Sequence, residues 1–128
     1  MINSPKYTCP CCGYKVFDNP PGSFEFCPIC YWEDEAMQLR CPTEIGANSI
    51  SLVEAQDNFE KFGVSHIELK VFVRDPTAED ERDLNWRKVD LKTDKIESKN
   101  DRTTDATIYP IDLTKLYYWE ENIGNRLV

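Results

Sequence analysis

An α+β fold is predicted for this chain by three observations: two Cys-x-x-Cys pairs close together near the start, a capped helical pattern over residues 52–62, and an aromatic segment following Asp112. The two pairs imply a small metal-ordered hairpin, and the later segments imply one or two amphipathic helices packed against it.

The cysteine pairs come first. Cys9-Pro10-Cys11-Cys12-Gly13 is followed, after fourteen residues between Cys12 and Cys27, by Cys27-Pro28-Ile29-Cys30. A C-x-x-C turn places two thiolates on one side of a cation and leaves backbone N–H groups near the sulfurs, so two such turns complete a tetrahedral shell. The spacing points to zinc held by Cys9, Cys12, Cys27 and Cys30, with an interval slightly shorter than the usual fifteen to twenty or so residues. Pro at the second position of each turn restricts φ, and Gly13 permits a left-handed step back into a strand. The runs Tyr14 to Phe17 and Phe24 to Phe26, divided by Asp18-Asn19-Pro20-Pro21-Gly22-Ser23, are expected to pair as a hairpin between the two turns, the zinc-ribbon arrangement. A segment of this size cannot fold on apolar burial alone, and the metal replaces a core.

Other readings of the same residues are weaker. A redox dithiol opens a helix after a strand, which Cys12-Gly13-Tyr14 does not do. An iron–sulfur cluster takes four thiolates as well, but zinc is the commoner occupant of paired turns bearing Pro. A catalytic zinc needs an open position, which four thiolates close. Cys11, Cys41 and the single histidine, His66, have no assigned role; a nucleophilic pair would have to join His66 to Cys11 or Cys41, and nothing in the sequence supports that pairing.

Further along, Ser51 with Glu54 three residues on forms a capping-box pattern, and Gly63 is placed to end the helix. Leu52, Ala55, Phe59 and Phe62 fall on one stripe. His66 to Arg74 alternates, with Ile67, Leu69, Val71 and Val73 on one face, and reads as a strand that Pro76 stops. From Asp75 to Leu91 the signals conflict: a short helix over Ala78 to Lys88 competes with an irregular segment packed under Trp86. Residues 92–107 are charged and poor in apolar side chains, as expected of a polar loop or linker. Residues 108–128 read as an extended entry and then a helix capped by Asp112, with Leu113, Leu116, Tyr117 and Trp119 on a broad apolar side docked on the domain formed by residues 1–91.

Composition bounds the function. The 128 residues carry 23 acidic against 15 basic side chains, a net charge of −8. This balance repels phosphate backbones and favours basic partners. No apolar run is long enough to span a bilayer and no leader pattern follows Met1, so a cytoplasmic location is expected.

The residues Cys9-Pro10-Cys11-Cys12-Gly13-Tyr14, Pro20-Pro21-Gly22-Ser23-Phe24-Glu25, Cys27-Pro28-Ile29-Cys30, Trp32-Glu33-Asp34, Ala47-Asn48, Ser51-Leu52, Glu54-Ala55 and Asn58-Phe59 together resemble the bacterial cysteine-rich CPCC domain family. The likeness spans about residues 8–88. It implies a metal-binding module defined by its cysteines more than by a reaction, some of whose relatives sit beside polymorphic toxins as candidate immunity proteins. Cys41 stands where that family usually has an acidic residue, and the segment from Lys92 onward has no counterpart in it.

The functional expectation is a small acidic zinc protein that is not an enzyme and acts by binding a basic protein, most concretely as an immunity protein neutralising a toxin such as a nuclease. Glu33, Asp34, Glu35, Glu79, Asp80, Glu81 and Asp83 are the expected partner contacts. The alternative is a nucleic-acid-binding or regulatory zinc ribbon, against which stand the few basic residues of the first fifty, Lys6, Lys15 and Arg40.

Overall fold

The computed structural model describes residues 6–94, 96–97 and 109–120. Two short strands, β1 (Tyr7–Thr8) and β2 (Lys15–Phe17), are followed by α1 (Ala36–Arg40), α2 (Leu52–Phe62) and two 3₁₀ turns, Ile67–Phe72 and Leu113–Leu116. An α+β architecture results, although its strands pair differently from expectation.

β2 pairs antiparallel with β1, Tyr7 opposite Phe17 and Thr8 opposite Lys15, with an irregularity between the two positions. The expected pairing with Phe24 to Phe26 does not form; Phe26 instead bridges Glu33. Each cysteine turn is therefore the loop of its own small hairpin. The intervening segment cannot extend, because Pro20 and Pro21 lack N–H donors and Phe24 is left-handed at φ 62°. It wraps around the Glu25 carboxylate, which accepts the N–H groups of Asp18 (3.0 Å) and Asn19 (3.2 Å).

α2 follows its signals closely. Ser51 Oγ accepts the Glu54 N–H at 3.1 Å, and Gly63 closes the helix at φ 76° with its N–H on the Phe59 carbonyl. Leu52, Ala55 and Gln56 are buried, while Phe62 at the end of the anticipated stripe is exposed. The loop before α2 is organised by Gln38, whose Nε2 donates to the carbonyls of Glu44 and Ile50, both at 2.9 Å, while its Oε1 accepts from Asn48.

The expected strand over His66 to Arg74 is a 3₁₀ turn instead. The Ser65 N–H bonds the Cys30 carbonyl (2.8 Å) and the Arg74 N–H bonds the Pro28 carbonyl (3.1 Å), so both ends are fixed to one cysteine turn. A strand of that length would hold its ends roughly 25 Å apart, so the segment must contract. Val71 and Phe72 are left exposed. Residues 78–88 form no helix, and Trp86 lies over Gly13, as the irregular alternative required.

Asp112 caps the last turn, accepting from Thr114 N (3.0 Å) and Oγ1 (2.6 Å), yet the helix it opens is a single 3₁₀ turn. Leu116, Tyr117, Tyr118 and Trp119 are all buried in the main core. Four consecutive buried side chains cannot share one helical stripe, and the chain winds irregularly across the core instead. The expected polar loop over 92–107 lies largely outside the described residues. The core joins these aromatics to Phe17, Ile29, Trp32, Leu39, Leu52 and the cysteines. Among the described residues, no helix is long and apolar enough to cross a membrane.

Candidate metal centre

The two cysteine turns are copies of one another. In the first, the Gly13 N–H bonds the Cys9 carbonyl (2.8 Å) and the Cys9 N–H bonds the Tyr14 carbonyl (2.9 Å); in the second, Tyr31 bonds Cys27 (2.8 Å) and Cys27 bonds Trp32 (2.9 Å). Distant segments hold the same two carbonyls in each copy. The Pro10 carbonyl accepts Gln56 Nε2 and Trp86 Nε1, both at 2.9 Å, and the Cys12 carbonyl accepts Arg82 Nε at 3.1 Å. Pro28 and Cys30 are held by the backbone N–H groups of Arg74 and Ser65. The turns are thus fixed from outside before any ion is considered.

Facing each other, they bring the Sγ atoms of Cys9, Cys12, Cys27 and Cys30 within 4.8 Å of one another, with Cys9 to Cys30 at 3.6 Å and Cys12 to Cys27 at 3.7 Å. A tetrahedron of metal–sulfur bonds of about 2.3 Å has edges of about 3.8 Å, so the cage has the dimensions of a four-thiolate site. All four are fully buried, and none of the six cysteines is in a disulfide. The Cys27 sulfur also accepts the N–H groups of Ile29 (3.3 Å) and Cys30 (3.4 Å), the arrangement that offsets thiolate charge. Burial pushes the Cys9 and Cys30 thiols up; for Cys27 burial acts the same way, but hydrogen bonds from Cys12, Cys30 and Cys9 outweigh it and bring that thiol down. A cation at the centre favours the charged form of all four. Cys11 is buried outside the cage, and burial raises it too.

The seven carboxylates expected to meet a partner divide. Asp34 is a correction: it is buried, accepting Ser23 Oγ at 2.7 Å and Ser23 N at 3.3 Å, and presents nothing to solvent. Burial holds its carboxyl up to about 6 against the lowering effect of Ser23. Asp83 also turns inward, accepting Thr8 Oγ1 (2.7 Å) and Trp119 Nε1 (3.2 Å). Asp80 is forked by Arg74 at 2.8 and 2.9 Å, and Glu35 accepts the Ala47 N–H at 2.6 Å. Glu79 and Glu81 are exposed, Glu81 beside Lys15 at 3.4 Å, and Glu33 is half-buried. An acidic run in sequence does not reveal which members fold inward; the donors that select them lie outside the run, Ser23 eleven residues before Asp34 and Thr8 and Trp119 much further from Asp83.

Fold and site together define a small protein built on paired cysteine turns around a closed four-sulfur cage able to hold a metal ion. The chain belongs to the family described as Cysteine-rich CPCC, whose model matches residues 7–80, more than half of its length. No curated protein matches it.

Proposed function

We propose that this protein is a zinc-ordered binding module that engages a basic protein partner and performs no chemistry of its own. Its most concrete form is an immunity protein that neutralises a basic bacterial toxin such as a nuclease, acting in the cytoplasm. The observation that carries the reading is the enclosure of the cage: four buried sulfurs satisfy a tetrahedral ion and leave no position for water or substrate. The metal then serves the fold, and recognition falls to the surface. That surface is acidic, with a net charge of −8 that speeds capture of a cationic protein. His66, needed for any nucleophilic pair, spends its Nδ1 on the Glu68 N–H at 3.2 Å.

The test is affinity isolation of the zinc-loaded chain from its source, followed by measurement of the association rate against salt. A stoichiometric basic protein whose association slows as salt rises is the expected result. Retention of DNA or RNA at physiological salt, with no protein partner, would overturn it in favour of the nucleic-acid-binding alternative.

A further inference from the structure

The second cysteine turn exposes a stack of three aromatic rings, whereas the rings beside the first, Tyr14 and Trp86, are covered by Arg82. Phe26, Tyr31 and Phe72 form a continuous stack, with ring centroids 4.8 Å apart between Phe26 and Tyr31 and 5.2 Å between Tyr31 and Phe72. Phe26 and Phe72 are the outer rings, 49% and 60% exposed. Tyr31 reaches the middle of the stack only by holding φ at 67°, a conformation that the first turn gives to Gly13. A bulky side chain there is strained, and such strain concentrates at recognition sites.

A carboxylate is set against this surface. Phe26 and Glu33 face each other across an antiparallel bridge, which puts both side chains on one face of the turn. Asn48 fixes Glu33 from both sides, accepting its N–H with Oδ1 and donating Nδ2 to its carbonyl, each at 2.9 Å. Among the described residues no side chain pairs with the Glu33 carboxylate. Phe26, Tyr31, Glu33, Asn48, His66 and Leu69 line a shallow cavity of about 190 Å³. That is below the roughly 300 Å³ at which small-molecule pockets begin, and suits one long side chain.

We infer that this cavity is the anchor point for an arginine side chain on the basic partner, its guanidinium stacking on Phe26 and pairing with Glu33. A planar cation satisfies both walls at once: the ring quadrupole attracts it and the carboxylate neutralises it. A neutral apolar anchor would bury Glu33 without a counter-charge, and an anion would be repelled by the carboxylate and by the net charge of the chain. The inference rests on the basic-partner reading above and assigns that reading a location.

The experiment titrates the metal-loaded full chain with an end-blocked pentapeptide alternating glycine and arginine, and with the same peptide carrying citrulline in place of arginine, following amide and ring resonances by NMR. The arginine peptide is expected to shift the resonances of Phe26, Tyr31 and Glu33, with a dissociation constant on the order of 10 mM, and the citrulline peptide is not. Glu33→Gln and Tyr31→Gly are each expected to weaken binding by about three- to tenfold. Tyr31→Gly tests recognition apart from folding, because glycine occupies the equivalent position of the first turn. Binding of the arginine peptide that is undiminished in both variants would overturn the anchor while leaving the acidic-surface reading intact. No binding of the arginine peptide at all would likewise overturn the anchor, whereas the acidic-surface reading falls only if affinity isolation also returns no basic partner.

Discussion

Gly13 and Tyr31 occupy the same position in two copies of one turn, each left-handed, at φ 81° and 67°, and each donating to the carbonyl four residues earlier. They hold that position for opposite reasons. A Cβ on Gly13 would lie 2.6 Å from Trp86 Cδ2, so the first turn excludes any side chain, whereas the second presents one. Gly13→Ala combines an unfavourable backbone with a clash against a ring fixed by its own hydrogen bond to Pro10. A loss of about 3 kcal/mol is expected in urea unfolding. For Tyr31→Gly, relief of about 1 kcal/mol of strain opposes loss of stacking of about the same size, so stability should change by less than about 1 kcal/mol.

Metal removal should be far more damaging. Elemental analysis is expected to find one divalent ion per chain, and zinc in preference to iron. Cys12→Ser and Cys27→Ser should lose the ion and the near-ultraviolet signal of Trp32 and Trp119, which share the core with the cysteines. Cys11→Ser is the control and should retain full stoichiometry. If Cys11→Ser lost the ion and Cys12→Ser kept it, the ligand assignment would be wrong.

Asp34 gives a pH signature. Its carboxyl is raised by burial from the ordinary 3.8 to about 6, so the protonated form is favoured by folding. The associated stability is complete below about pH 4 and is lost as pH rises through about 6. Asp34→Asn cannot ionise and keeps an oxygen for Ser23. Its stability relative to the natural chain should therefore rise between pH 4 and pH 7, by about 1 to 3 kcal/mol. Thiolate protonation affects both proteins and cancels in the difference. A difference that stays flat across this range would sink the account.

Tyr118 tests whether the aromatic tail is part of the fold. Its hydroxyl donates to the Arg87 carbonyl and accepts Gln56 Nε2 at 2.8 Å, while the Gln56 Oε1 accepts the Val89 N–H at 3.0 Å. Tyr118→Phe leaves the Arg87 carbonyl unsatisfied and weakens a buried network. A cost of about 1 to 3 kcal/mol is expected, with cysteine reactivity toward a thiol reagent rising in parallel.

Local signals were legible in proportion to how local their causes are. The cysteine spacing, the Ser51 cap and the Gly63 stop each act within a few residues, and each appears where the sequence places it. The strand expected over His66 to Arg74 failed because its alternation has no partner strand, and its ends are drawn together by carbonyls of a turn forty residues earlier. The hairpin failed similarly: the strand propensity of Phe24 to Phe26 was real, but the two prolines and the Glu25 carboxylate organised that stretch as a loop. The inward turn of Asp34 and Asp83 was hidden because the donors Ser23, Thr8 and Trp119 announce nothing at a distance. Only the copied turns, read side by side, would have singled out Tyr31, a tyrosine standing where its twin has glycine.

The Pro10 carbonyl carries one more consequence, for the order of events during synthesis. Two of the groups that close the first cysteine turn come from residues 56 and 86, and Gln56 is itself held by residue 118. A ribosome that has just released Cys30 has made all four ligands and almost none of the walls. Until Trp119 has emerged, the nascent chain holds its thiols without their shelter, open to premature exchange and oxidation. Full shelter of the four sulfurs therefore depends on residues as far along as Trp119 and not on the first forty alone.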